Sequence, residues 1–197
     1  MMPDYNRAAR MAYKSLLSLH IEDFPVNPLL ILSFCRNTVV RTYDEIAPLF
    51  GYSDPAEFRW YIARNQEALT IRNDSGGITR YELFYDSHGN LNRRRFTLAH
   101  ELGHIVLKHR MEEYWEEKEA DYYASQLLAP RPVFDLFSRY DMNPSDPELI
   151  SKTFGLSKTA SEISVQPPRH RTDPELSREI QASFEPFIEL LSMFETA

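Results

Sequence analysis

The sequence predicts an α+β fold: a small, mostly antiparallel sheet of about three strands packed on a pair of helices, with additional N- and C-terminal helices. Three observations carry this expectation. Strand-like runs rich in β-branched and aromatic residues cluster between about 37 and 87. Two stretches between about 95 and 130 repeat their apolar residues at helical spacing. Amphipathic segments flank this middle region on both sides.

Taken in order, AARMAYKSLLSL places Ala8, Ala12, Leu16 and Leu19 on one helical face. FPVNP breaks the chain, and Asn27 with Pro28 forms a cap and first helical position for LLILSF. NTVVRTY reads as a strand, and DPAEFRWYIAR as a short helix with an Asp-Pro start. ALTIRND and ITRYELFYD, separated by SGG, form a hairpin pattern. DSHGN leads into the first long helix, and EYWEEKEADYYASQLLA is the second, stopped by Pro130. Short helices fill 131–166. PPRHRTDP is a linker to an amphipathic tail with Ile180, Phe184, Phe187, Ile188, Leu191 and Phe194 on one stripe, expected to pack on the parent domain. The chain is therefore divided into a domain at 1–166 and a linker plus helical tail at 167–197.

With 197 residues, 43% of them hydrophobic, the chain can bury one sizeable core. A formal net charge of -7 disfavours non-specific binding to nucleic acid or to anionic membranes. Cys35 is the single cysteine and cannot form an internal disulfide. The opening MMPDYNRAAR lacks the apolar run of a signal peptide, and no stretch is apolar enough to span a bilayer. A cytoplasmic protein is expected.

Chemistry concentrates in RRRFTLAHELGHIVLKHR. His100 and His104 lie four apart on a helix, so both imidazoles can face one metal ion. Glu101 is rotated by about 100° from His100, placed to reach a metal-held water rather than the metal. Gly103 between them costs roughly 1 kcal/mol of helix propensity, which signals a close approach there. The alternative is a pair of buried, hydrogen-bonded core histidines, disfavoured because unpaired polar groups on an apolar helix are costly.

A catalytic zinc site usually has three protein ligands and one open position. The last histidine of the longer HExxHxxGxxH motif would fall on Arg110, and His109 is one residue out of register, so the third ligand must come from elsewhere. The following helix offers Glu112, Glu113, Glu116, Glu117 and Glu119. Relative to its apolar stripe (Ala120, Tyr123, Ala124, Leu127, Leu128), Glu116 and Glu117 lie about 50° away and Glu119 about 110° away. Glu119 is therefore expected in solvent, as are Glu112, Glu113 and Glu116. Glu117 has Asp121 one turn later, which can orient a ligating histidine; this selects Glu117 as ligand and Asp121 as its supporting carboxylate.

FTLAHELGHIVLKH followed by EKEADYYASQLLAP closely resembles the ImmA/IrrE family of zinc metallo-endopeptidases, a gluzincin-like group with HExxH and a downstream Glu. The resemblance implies a zincin-like helix pair, Zn2+ on His100, His104 and Glu117, and Glu101 as catalytic base. Tyr123 stands where the family usually has Phe. The likeness covers roughly residues 5 to 166, with specific motifs from 95 to 130. It implies a regulatory peptidase that cuts a particular cytoplasmic protein, such as a helix-turn-helix repressor, and so acts on transcription. No direct nucleic-acid or membrane partner is expected. ITRYELFYD is the strand best placed to hold an extended peptide, and the oxyanion-stabilising group could be His88, Arg95, His170 or a tyrosine.

Two other readings compete. DPELISKTFGLSKTASEIS has the cadence of a helix-turn-helix DNA reader, but only Lys152 and Lys158 offset Asp146, Glu148 and Glu162. A zinc-bearing module could also bind a regulator and control transcription without proteolysis, although the intact Glu101 speaks against it.

Overall fold

In the computed structural model, which describes residues 2–64, 66–110, 113–171 and 173–195, helices pack on both faces of a three-stranded sheet. Helix α1 (Tyr5–Ser18) starts where the Asp4 side chain accepts from the Arg7 amide, and it buries Ala8, Ala9, Ala12, Tyr13 and Leu16. Asn27 caps α2 (Pro28–Ser33) with Pro28 in the first turn, as the sequence indicates. Strand β1 (Thr38–Thr42) runs directly into α3 (Tyr43–Ile46) and a 3₁₀ turn at Ala47–Phe50. Neither is foreseen from periodicity, because four residues are too few to show one. The local signal is a capping box, in which Thr42 and Glu45 satisfy each other's amides. Asp54 then caps α4 (Pro55–Tyr61).

Strands β2 (Ala68–Ser75) and β3 (Ile78–Tyr85) pair antiparallel through Gly76 and Gly77, both at positive φ (60° and 76°). The order is β1-β3-β2, and β1 lies parallel to β3. The sheet is thus mixed rather than mostly antiparallel. The reason is the connection: α3 and α4 carry the chain from β1 to the far edge, where β2 runs opposite to β1, and the Gly76-Gly77 turn then sends β3 back between them, parallel to β1. It also makes ITRYELFYD the central strand, with both edges paired, so this strand cannot accept an added peptide; β1 and β2 form the edges. Tyr43, Ile46, Ala47, Phe58, Ala63 and Phe84 make a small second core beneath α3 and α4.

The long helices α5 (Leu91–Leu107) and α6 (Tyr114–Leu128) follow, then α7 (Arg131–Arg139), α8 (Pro147–Phe154), α9 (Lys158–Ser164) and α10 (Pro174–Glu195). Helix α6 is packed between α5 and α1. Helix α10 lies against α7 and α1 and buries Ile180, Phe184 and Ile188, with Phe184 stacked 4.4 Å from Phe24. Its stripe ends at the half-buried Leu191; Phe194 is 73% exposed. Among the described residues, no helix is long and apolar enough to cross a membrane.

Arg95 ties the periphery together. Its buried guanidinium donates to Val26 O at 2.9 and 3.1 Å, to Phe154 O at 3.1 Å and to Gly155 O at 2.6 Å. Gly155 ends α8 at φ +61°, and an added Cβ there would lie 2.2 Å from the Arg95 guanidinium, so both backbone conformation and space require glycine.

Candidate metal centre

The site begins with a close helix contact at a glycine. A Cβ on Gly103 would stand 3.1 Å from Ala120 Cα and 3.3 Å from Ala120 O, so α5 and α6 touch backbone to backbone there. The approach inferred from Gly103 is real, and its consequence is that side chains flanking the contact on the two helices meet.

His100 Nε2 and His104 Nε2 lie 3.0 Å apart. Glu117 reaches both, Oε2 at 3.3 Å from His100 Nε2 and Oε1 at 3.3 Å from His104 Nε2. Atoms of these three residues, all within 4.8 Å of one another, could hold a metal ion. Asp121 Oδ1 accepts from His100 Nδ1 at 3.0 Å, and Lys118 lies 3.5 Å from the other oxygen. The sequence-derived set His100, His104, Glu117 and Asp121 is therefore brought together. Glu101, half-buried on the same helix, lies close enough for its charge to act on His100 and on Tyr43.

The electrostatics suit cation binding. Burial disfavours the charged form of His100, but hydrogen bonds to Asp121 and Glu117, with the charge of Glu101, outweigh it and push its pKa up to about 9. Burial and then the charge on His100 push His104 down. Two Nε2 atoms at this separation would repel as bare lone pairs, so the pair calls for a cation or a proton between them. Glu117 is held below the usual carboxylate range chiefly by its hydrogen bond to His100.

Two acidic positions depart from expectation. Glu113 is exposed as expected and Glu112 lies outside the described residues. Glu116, expected in solvent, is buried and accepts from the Arg110 amide at 3.1 Å. Glu119 is 2% exposed, accepting from Asp4 N at 2.8 Å, Arg7 Nη1 at 3.2 Å and His109 Nε2 at 3.3 Å. The angular estimate assumed one buried stripe on α6. With α5 on one flank and α1 on another, the helix has two. His109 is also buried, and its Nδ1 lies 3.0 Å from His104 Nδ1.

The proposed oxyanion partners are engaged elsewhere. Arg95 holds the three carbonyls described above. His170 is bracketed by Tyr13 and Tyr122 at 3.2 and 2.6 Å, and His88 pairs with Asp44 at 3.1 Å. Tyr43, near Glu101, donates to Gln66 O at 3.2 Å.

A sequence model of a peptidase family, the IrrE N-terminal-like domain, matches residues 63–165. The chain belongs to this family. The IrrE-like match spans β2, β3 and α5 to α9, and so contains every residue of the centre, while α1, α2 and α10 lie outside it. No curated protein and no solved structure matches the chain significantly.

Proposed function

We propose that this IrrE-like protein is a zinc-dependent endopeptidase of the cytoplasm that cleaves one specific protein, such as a helix-turn-helix transcriptional repressor. The observation that carries it is the convergence of His100, His104 and Glu117 beside Glu101. Their separations of 3.0, 3.3 and 3.3 Å fit the roughly 3.3 Å edge of a tetrahedron with metal–ligand bonds of about 2.0–2.1 Å. Two imidazoles and one carboxylate are a donor set that suits zinc and leaves a position open. When bound, zinc supplies a Lewis acid and lowers the pKa of water to about 7.

The chain's own residues do the rest. Glu101 takes the proton of the attacking water and delivers it to the departing amine, acting first as base and then as acid. Asp121 fixes the ring and tautomer of His100. The free edge of β2, packed beside α5, offers backbone groups to an extended peptide.

Metal analysis of the purified chain, paired with incubation against candidate repressors, tests the reading. Expected are one zinc per chain, loss of zinc in Glu117→Ala, and repressor fragments from wild type only. A chain that holds zinc and binds a repressor yet never cuts it supports the interaction module instead. Tight, specific binding of an operator duplex would favour the DNA reading through α8 and α9.

A further inference from the structure

His109, set aside on spacing, is placed by the end of helix α5. Lys108 takes a left-handed conformation at φ 57°, and the His109 amide donates back to His104 O at 3.0 Å. This turn swings the His109 ring against the side of His104 that faces away from Glu117. The two Nδ1 atoms lie 3.0 Å apart, and His109 Nε2 lies 3.3 Å from Glu119 Oε2. Trp115 closes the pocket edge-on, with ring centroids 6.1 Å apart.

The protons in this chain can be assigned by elimination. If His104 Nε2 is committed to a metal, its Nδ1 must carry hydrogen and donate. His109 Nδ1 must then accept, which puts the hydrogen of His109 on Nε2, where it donates to Glu119. Glu119 is an acceptor at both oxygens, held by Arg7 Nη1, Asp4 N and His109. Every donor points the same way, from His104 through His109 to Glu119. Through Nδ1, His100 reaches a carboxylate, Asp121, directly, whereas His104 Nδ1 reaches Glu119 through a second imidazole.

Resting on the zinc reading above, we propose that His109 and Glu119 form a positioning relay: they orient His104 and strengthen it as a ligand without touching the metal. The relay ends on α1, whose Arg7 also donates to Leu107 O at the end of α5. Zinc affinity is thereby tied to the seating of the first turn of α1.

Competition of the full-length chain against a chromophoric zinc chelator tests this. Losing a partner behind a ligating histidine weakens metal binding by about ten- to a hundredfold. That loss is expected for both His109→Phe and Glu119→Gln, while exposed Glu113→Gln binds like wild type. In zinc-loaded wild type labelled with 15N-histidine, a scalar coupling across the hydrogen bond should join His104 Nδ1–H to His109 Nδ1. This second readout needs no variant, so it decides the matter if either substitution fails to fold. Wild-type zinc binding with unchanged affinity in both variants overturns the relay alone, as does a proton found on His109 Nδ1. A wild-type chain that binds no zinc overturns both the relay and the functional reading beneath it.

Discussion

His100 carries the most informative charge in the molecule. In the metal-free chain its pKa stands at about 9, raised against burial by Asp121 and Glu117, so it is protonated at neutral pH. A ligating imidazole must be neutral, so binding zinc at pH 7 should release about one proton from this pair. Affinity should then rise with pH and level off above about 9. Calorimetry in buffers of different ionisation enthalpy measures that proton directly; proton-neutral binding at pH 7 would refute the assignment. Arg95 supports a second expectation at this scale. Replacing it with Met leaves the carbonyls of Val26, Phe154 and Gly155 without their shared donor. A loss of about 3 kcal/mol in chemical denaturation is expected, with zinc binding retained. The candidate ligands were readable from sequence because i, i+4 spacing pairs His100 with His104 on α5, and the Asp121 one turn after Glu117 singled that glutamate out on α6. Glu119 was not: its surroundings are set by Arg7, 112 residues earlier, and no local period encodes that contact.

Between elements, the decisive feature is the crossing of α5 and α6 at Gly103. Alanine there gains about 1 kcal/mol in helix propensity, yet its methyl would press on the Ala120 backbone, where overpacking costs about 1–3 kcal/mol. Gly103→Ala should therefore lower the melting temperature and weaken zinc binding, because the helices carrying the ligands are forced apart. A rise in melting temperature would show that helix propensity alone governs this position. The sheet shows the limit of reading elements singly. Each strand and the Gly76-Gly77 turn could be placed from local chemistry, but the parallel pairing of β1 depends on the path of the crossover. That pairing also moves the available edge from ITRYELFYD to β2.

For the whole molecule, the stretch shared with the IrrE-like family shares its core with the helices outside it. Ala8, Ala12 and Leu16 of α1, Ile31 and Leu32 of α2, and Ile180, Phe184 and Ile188 of α10 are buried with it in one apolar cluster. Each large side chain is worth about 1.5–3 kcal/mol when buried, and a domain's net stability is only about 5–15 kcal/mol. The isolated segment 63–165 should show no cooperative melt by circular dichroism; a sharp transition would mean that the flanking helices are dispensable. The amphipathic stripe of the tail was legible as packing surface, whereas its partners Phe24 and α7 were not, since apolar faces carry no address. The centre thus depends on a helix outside the family match: α6 presents Glu117 while α1 holds Glu119 behind it.

The most direct test of a zinc peptidase is repressor cleavage, followed by intact-protein mass spectrometry, for wild type and Glu101→Gln at equal zinc content. Wild type should generate two fragments whose masses sum to the repressor plus one water, and Glu101→Gln should generate none while still holding zinc. Equal cleavage by the two proteins, or cleavage that survives complete removal of zinc, would contradict the role assigned to this site.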